Sequence, residues 1–210
     1  MNHVVLMGDS IFDNEAYSGS RRDVSSQLRQ HLTSDWKVTL LVVDGSMTKD
    51  MAIQIEKLPI DTTHLIVSVG GNDALNSMGL LDVKVKSVAE VLGLMATVIA
   101  EFRQRYRTML EAMLYLRHRT ALSTIYYPRL PEADLQQLAV TALAFFNDLI
   151  ISEAIRHRLP LLDLRFICDE DSDFANPIEP SSAGSAKIAA AIMRLLLEHD
   201  FAEGHTEVYV

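Results

Sequence analysis

The sequence predicts an α/β protein of the three-layer α/β/α type, with a five-stranded parallel sheet between two layers of helices. Apolar runs without polar alternation, which are typical of strands buried on both faces, alternate with longer segments of helical periodicity. Such alternation favours a parallel sheet covered by helices on both faces. No boundary or internal repeat interrupts it. We therefore expect a single domain over residues 1–200, followed by a loosely attached tail over residues 201–210.

The predicted strands cover residues 4–7, 38–43, 65–69, 121–126 and 159–162. The predicted helices cover residues 21–32, 49–57, 83–117, 134–156 and 183–198. The last helix is the best marked, because Pro180 and Ser181 precede it and apolar residues then recur at helical spacing. The apolar positions of segment 83–117 either pack in the core or form the face of a homodimer.

The composition of the chain excludes several classes of partner and cellular environment. The 210 residues include 19 Lys and Arg against 28 Asp and Glu, a net charge of −9 that argues against a nucleic acid or an anionic membrane as partner. The single cysteine, Cys168, excludes an internal disulfide and suits a reducing compartment. No apolar stretch approaches the roughly 20 residues that span a bilayer. The first apolar run leads directly into a turn, as a strand does and a signal peptide does not. We expect a cytoplasmic protein.

The first strand ends in Gly8-Asp9-Ser10. Reacting groups and ligands collect at the carboxyl ends of strands in open parallel sheets, so Ser10 stands where a nucleophile is useful. The turn lacks the glycine patterns of dinucleotide-binding and phosphate-binding loops. It also lacks the Gly-x-Ser-x-Gly of a nucleophile elbow, since Phe12 occupies the position of the second glycine. An ordinary turn remains the alternative, because Gly, Asp and Ser all favour turns.

Two later strand ends carry matching features. Gly45 follows the second strand, and Gly70-Gly71-Asn72-Asp73 follows the third. Acyl transfer needs a nucleophile together with hydrogen-bond donors aimed at the oxyanion of the tetrahedral intermediate. The N–H groups of Ser10 and Gly45 and the side-chain amide of Asn72 would supply these donors from neighbouring strand ends. Taken singly, each motif is also compatible with a simple turn or a helix cap.

In this order, the three blocks resemble those of the SGNH (GDSL-type) serine hydrolases, which are esterases, lipases, thioesterases and carbohydrate deacetylases on a flavodoxin-like sheet. The resemblance implies that Ser10 is the nucleophile, and that Ser10 N–H, Gly45 and Asn72 form the oxyanion hole. It further implies that Asp9 and Asp13 brace the nucleophile loop, and that the reaction uses neither a cofactor nor a metal.

The family's last block, Asp-x-x-His, is where the sequence departs. The matching stretch is Asp173-Phe174-Ala175-Asn176, followed by Pro177, so that Asn176 stands at the histidine position. An asparagine cannot take a proton from serine near neutral pH, and an unassisted serine is a weak nucleophile. Another histidine such as His205, or a carboxylate such as Asp173 or Glu179, would then act as base. For Glu179 the favoured interpretation is a simpler one, in which its charge stabilises the positive end of the last helix.

Two functions follow from these observations. The first is a serine-dependent esterase or acyl hydrolase of a small, short-chain ester, with an unassigned base or with slow, unassisted catalysis by the oxyanion hole. The other is a catalytically silent protein that binds an acyl or carbohydrate ligand or a protein partner. The intact set of Ser10, Gly45 and Asn72 favours the hydrolase. Met78, Leu80 and Leu81, which follow the third block, either line an acyl pocket or pack in a surface loop.

Overall fold

The computed structural model describes residues 1–13 and 23–210. The predicted start of the first helix, at Arg21, and the end of the nucleophile turn, at Asn14, lie outside this part of the chain. The strands are β1 (Asn2–Gly8), β2 (Trp36–Leu40), β3 (His64–Ser68), β4 (Arg119–Ser123), β5 (Leu161–Leu162), β6 (Phe174–Asn176), β7 (Glu179–Pro180) and β8 (Val208–Tyr209). The helices are α1 (Val24–His31), α2 (Met51–Ile55), α3 (Gly71–Asn76), α4 (Val88–Tyr115), α5 (Ala133–His157), α6 (Leu164–Ile167) and α7 (Ser182–Glu198).

The central sheet is parallel throughout, with the strand order β2-β1-β3-β4-β5-β8, and β6 and β7 form a separate antiparallel pair. This confirms the predicted fold class. The alternating side chains of β1 serve two cores: Val4 and Leu6 pack towards α1 and α7, whereas Val5 and Met7 pack towards α4 and α5. A strand buried on both faces has no polar positions, which explains why the apolar runs in the sequence identify the sheet.

The C-terminal segment is more firmly attached than the sequence suggests. Residues 208–209 form a sixth strand of the sheet, where we expected five strands and a loose tail. The N–H of Leu161 donates to the carbonyl of Glu207 at 2.8 Å, and the N–H of Asp163 donates to that of Tyr209 at 2.9 Å. The Tyr209 side chain is fully buried. A strand of two residues is too short to produce a hydropathy pattern, so sequence analysis missed it.

The long helix α4 begins later than predicted, because the side chain of Ser87 caps it by accepting from the N–H of Glu90 at 3.2 Å. Its second half is core, with Phe102, Tyr106 and Leu110 buried against the sheet. Its first half projects apolar side chains into solvent, among them Val88 at 75% exposure. The prediction of a homodimer face at this helix stays a prediction.

Among the described helices, α5 (Ala133–His157) is long and apolar enough to cross a membrane, by length and composition alone. We had expected that no apolar stretch approaches the length that spans a bilayer, and α5 is an exception to this expectation. In this fold, however, Phe146, Leu149 and Ile150 of α5 pack into the same core as α4. A core helix of an α/β domain can have the same length and apolar composition as a membrane-spanning helix.

The chain continues from β1 to β2 on one side and later adds β3 on the other side of β1. The carboxyl end of β1 therefore lies at the point where the direction of winding reverses, which is where ligands bind in this type of sheet. Gly8 ends β1 with φ +129°, and a Cβ at this position would lie 1.7 Å from the carbonyl oxygen of Ser68 on β3. Only glycine permits this approach of the two strands.

We predict that Gly8→Ala lowers the free energy of unfolding by at least about 4 kcal/mol, because a backbone atom of β3 blocks the added methyl group. Urea unfolding followed by circular dichroism measures the effect. Gly93→Ala is the matched control: its Cβ meets nothing within 4 Å, and the exposed helix position should gain about 0.5–1 kcal/mol. Equal stability of Gly8→Ala and the wild type would contradict the steric argument.

Candidate active site

The turn that carries Ser10 is held from several directions. The N–H of Asp9 donates to the carbonyl of Ser68 at 3.1 Å, and the N–H of Asp13 donates to that of Ser10 at 2.9 Å. Gln54 of α2 binds both backbone groups of Gly8: its Oε1 accepts from the N–H and its Nε2 donates to the carbonyl, each at 2.8 Å. Its Nε2 also lies 3.3 Å from the hydroxyl of Ser46. Sequence analysis missed Gln54, because a side chain that mainly binds the backbone of a distant strand belongs to no sequence motif.

Ser10 faces a carboxylate. Its Oγ donates a hydrogen bond of 2.9 Å to Oε1 of Glu179, a residue 169 positions further along the chain. Both side chains are buried, and the second carboxylate oxygen of Glu179 has no hydrogen-bond partner among the described residues. Helix α7 is capped by Ser181, whose Oγ accepts from the N–H groups of Ala183 and Gly184. The cap of that helix is therefore Ser181, whereas the carboxylate of Glu179 is bound to Ser10.

Asn176 lies three residues before Glu179, and its side chain binds the backbone of the turn that carries Glu179. The Asn176 Oδ1 accepts from the N–H of Ile178 at 2.9 Å and from the N–H of Glu179 at 3.0 Å. The hydroxyl of Tyr126 donates to the carbonyl of Ile178, and the N–H of Arg129 donates to that of Pro177 at 2.8 Å. These bonds fix the turn between β6 and β7. Asn176 thus contacts the backbone of Glu179, and its described hydrogen bonds do not include Ser10.

Asp173 fastens the same segment to α7. It is fully buried, and its Oδ2 accepts from the N–H of Glu170 at 3.0 Å and from Nζ of Lys187 at 2.9 Å. Its carbonyl accepts from the N–H of Ser181 at 2.7 Å, and a Cβ on Gly184 would lie 2.2 Å from that oxygen. The described hydrogen bonds of Asp173 do not reach Ser10 or Asn176.

A shift of three residues reconciles the sequence block with this geometry. Asn176-Pro177-Ile178-Glu179, followed by Pro180, fits the spacing of Asp-x-x-His-Pro as well as Asp173 to Pro177 does. In the shifted register, Glu179 takes the place of the histidine and Asn176 that of the aspartate. The signal was the second proline, since Pro180 follows Glu179 as Pro177 follows Asn176.

The second and third blocks are joined beside Ser10. Gly45 lies in an open turn at φ +74°, and the amide Nδ2 of Asn72 donates to the carbonyl of Ser46 at 3.1 Å. Asp73 binds Thr48 twice: it accepts from the N–H at 2.9 Å and from the hydroxyl at 2.8 Å. Asn72 is thus placed against the turn of Gly45, and the side chain of Asp73, which the sequence suggested as a cap, connects the two loops.

The seven histidines all lie among the described residues, and none of them lines the cavity at Ser10. His205, which we considered as a mobile base, instead lies beside His199 in the C-terminal segment, with the two ring centres 5.1 Å apart. Of the bases proposed from the sequence, Glu179 is the one that the structure hydrogen-bonds to the serine.

A cavity of about 310 Å³ opens at this site, and its walls are mainly apolar. Ser10, Asn72 and Glu179 line it together with residues of α3, α5 and the short 3₁₀ helix at residues 78–82. Met78, Leu80 and Leu81 are among its lining residues, as the acyl-pocket interpretation predicts. Further apolar walls come from Leu75, Leu135, Leu138, Ala139, Ala142 and Phe146.

Burial shifts the acid–base chemistry of the site. The pKa of Glu179 lies above its ordinary value, chiefly because burial disfavours the carboxylate; the hydrogen bond from Ser10 opposes this, and the charge of Asp44 adds to it. Burial also raises the pKa of Asp9 to about 8, and the charges of Glu179 and Asp73 raise it further. A weak hydrogen bond from the N–H of Ile11 acts in the opposite direction. Asp9 is therefore mostly protonated at neutral pH.

The model of the GDSL-like lipase/acylhydrolase family matches residues 6–187, which include all of the blocks described above. The chain belongs to this family. Its relatives are esterases and lipases, so the protein is a member of a hydrolase family. No curated protein matches the chain.

Solved structures show the same fold at low sequence identity. An acetyl xylan esterase, AlAXEase, is 14% identical with a TM-score of 0.72, over 93% of this chain and all (100%) of that one. A G-D-S-L family protein from Veillonella parvula is 15% identical with a TM-score of 0.70, over 95% and 100% of the two chains. An extracellular lipase from Streptomyces rimosus is 15% identical with a TM-score of 0.66, over 89% and 96%. At this identity the likeness concerns the fold.

We predict that Asp9→Asn gains stability relative to the wild type as the pH rises from about 4 to about 8. In this range the folded protein retains a proton on Asp9 that the unfolded chain releases, so the free energy of unfolding of the wild type falls with pH. Asparagine resembles the neutral acid and removes this dependence. Urea unfolding at pH 5 and pH 8.5 should show a relative gain on the order of a few kcal/mol. Asp13→Asn, an exposed change in the same turn, is the control, and an Asp9→Asn difference independent of pH would contradict the prediction.

Proposed function

We propose that this GDSL-family protein is a serine esterase in which Ser10 is the nucleophile and Glu179 is the general base. The hydrogen bond of 2.9 Å from Ser10 Oγ to Glu179 Oε1 carries the proposal. A nucleophile needs a base within hydrogen-bond reach and a third group that orients the base. Asn176 supplies the third element, because it binds the backbone N–H of Glu179. Asp173 then has a structural role, and Asn176 is a positioning residue.

In the proposed reaction, Ser10 Oγ attacks the ester carbonyl while its proton passes to the carboxylate of Glu179. The C–O bond to the alcohol breaks as the protonated Glu179 returns this proton to the leaving oxygen, and an acyl-serine remains. Water attacks the acyl-serine next and loses a proton to Glu179. The bond between the acyl carbon and Ser10 Oγ then breaks as Glu179 returns this proton to Oγ, and the carboxylic acid departs. The raised pKa of Glu179 supports this cycle, because a more basic carboxylate takes the serine proton more readily.

The oxyanion of the tetrahedral intermediate would be bound by the N–H of Ser10, the N–H of Gly45 and the amide of Asn72. The carboxamide of Asn72 has two N–H bonds, and one of them is used on the carbonyl of Ser46. This bond orients the amide and leaves the second N–H for the substrate. Removing a donor of this kind typically lowers the rate by about 10²–10³-fold.

The apolar cavity supports an ester with a longer acyl chain than the small substrate that the sequence alone suggests. Its walls offer leucine, methionine and phenylalanine side chains, while its polar lining includes Ser10 and Glu179. Each methylene group buried there contributes about 0.8 kcal/mol. We therefore propose medium-chain acyl esters as the substrate class.

We predict that Glu179→Gln lowers kcat/KM for p-nitrophenyl butyrate by about 10²–10⁴-fold, because the glutamine keeps the shape of the side chain but cannot accept the proton. Ser10→Ala should reduce hydrolysis to the uncatalysed background. Glu179→His should restore part of the activity lost in Glu179→Gln, whereas adding Asn176→His to Glu179→Gln should not, because residue 176 faces the backbone of the loop.

The pH profile provides the control for this assignment. The base must be ionised, so activity rises with pH through the pKa of Glu179, and the acid limb should lie above the ordinary glutamate value of 4.5. This limb should move in Glu179→His. Wild-type rates in Glu179→Gln would refute Glu179 as base, and a wild-type protein no more active than Ser10→Ala would instead favour the silent, ligand-binding alternative.

For the acyl chain, we predict that kcat/KM rises by about fourfold per methylene group from acetate to octanoate esters, as expected for methylenes buried at about 0.8 kcal/mol each. The half-buried Ala142 lines the cavity, so Ala142→Phe should abolish this rise while acetate hydrolysis continues. Ala144→Phe, an exposed change on the same helix, is the matched control. A flat series in the wild type would contradict the medium-chain proposal and leave the Ser10–Glu179 assignment in place.

A further inference from the structure

A cluster of two histidines and a glutamate lies in the C-terminal segment, apart from Ser10 and its cavity. His199 follows the last residue of α7, and its side chain is 1% exposed. Its Nδ1 lies 3.1 Å from Oε2 of Glu207. His205 reaches the same oxygen with its Nε2 at 4.0 Å, and His205 and Glu207 are both about half exposed, at 47% and 48%. One ligand atom of each residue lies within 4.8 Å of the others.

From this geometry we propose that His199, His205 and Glu207 bind a divalent transition metal ion, with zinc as the natural occupant. Zinc takes imidazole nitrogen and carboxylate oxygen at about 2.0–2.2 Å in a tetrahedron, which places neighbouring ligand atoms about 3.4 Å apart. The separations of 3.1 and 4.0 Å lie on either side of this value. Small rotations of the exposed His205 and Glu207 side chains complete the arrangement. Water takes the fourth position.

The surroundings of the cluster resemble the outer shell of a metal site. Nδ1 of His205 lies 3.8 Å from Oε2 of Glu203. If Nε2 of His205 binds the metal ion, the N–H at Nδ1 points towards this carboxylate, as is usual for histidine ligands. The hydroxyl of Tyr209 donates to Oε2 of Glu207 at 2.6 Å and orients that carboxylate. His199 is held rigidly, because its ring packs edge-on against Phe201 with ring centres 4.8 Å apart.

The position of the cluster assigns the ion a structural role. His199 directly follows the last helix, whereas Glu207 immediately precedes β8, the two-residue strand at the edge of the sheet. A metal ion bound to His199, His205 and Glu207 would cross-link the loop at residues 200–207 and so hold β8 against β5. Because the ligands come together only in the folded chain, binding stabilises the native state. This proposal is independent of the esterase assignment.

The test uses the untagged, full-length protein, freed of metal with a chelator and titrated with zinc chloride at pH 7.5 by calorimetry and thermal unfolding. The expected result is one zinc ion per chain and an increase in Tm with zinc concentration. His205→Gln and Glu207→Gln, both exposed changes, should weaken binding more than Glu203→Gln, which should lose about 10–100-fold as an outer-shell partner. His31→Gln, an exposed histidine on α1, is the matched control and should bind as the wild type does.

Cobalt provides a spectroscopic check, since a bound tetrahedral ion gives visible d–d absorption that His205→Gln should abolish. Binding should weaken at pH 5.5, where protons compete for the imidazoles. Zinc affinity equal in the wild type, His205→Gln and Glu207→Gln would overturn the proposal, as would a Tm that does not respond to zinc.

Discussion

The hydrogen bond between Ser10 and Glu179 joins two segments that are 169 residues apart, and the site depends on it. Each partner lies on a short turn held by bonds to backbone atoms. Gln54 and Asp9 hold the turn of Ser10, whereas Asn176 and Tyr126 hold that of Glu179. The two turns are therefore held in place by the fold, and the buried side chains of Ser10 and Glu179 meet between them.

Acidic groups converge on this end of the sheet, and burial raises the pKa of two of them. No cation among the described residues lowers the pKa of Asp9, which is mostly protonated at neutral pH. Asp73 has Thr48 as a donor, and Arg105 lies 3.7 Å from its carboxylate. Glu179 accepts a hydrogen bond from Ser10 at one carboxylate oxygen, and its other oxygen has no partner among the residues that the structure describes. The pKa values of Asp9 and Glu179 both lie above the ordinary range, because a carboxyl group with few partners holds its proton more tightly when water is removed.

In the proposed mechanism a glutamate stands in place of the family's histidine, and this changes what the base requires of its surroundings. A histidine base needs a carboxylate to select its tautomer and stabilise the imidazolium. A glutamate carries its negative charge before the reaction and becomes neutral on accepting the proton, so a second carboxylate behind it would be repulsive. An uncharged Asn176 that binds the backbone of Glu179 satisfies the same positional need without this repulsion. The proposed exchange of the two residues is therefore chemically coherent.

The sequence by itself determined the parallel α/β/α architecture, the turn that carries Ser10 and the family, because buried strands and Gly-Asp-Ser and Gly-Gly-Asn-Asp turns are local patterns. Only the tertiary structure decided which residue faces Ser10, since Asp173, Asn176 and Glu179 lie on one short segment and their directions depend on the β6–β7 turn. It also decided that residues 208–209 belong to the sheet and that His199, His205 and Glu207 meet. These are contacts between distant or irregular segments, and no local periodicity records them.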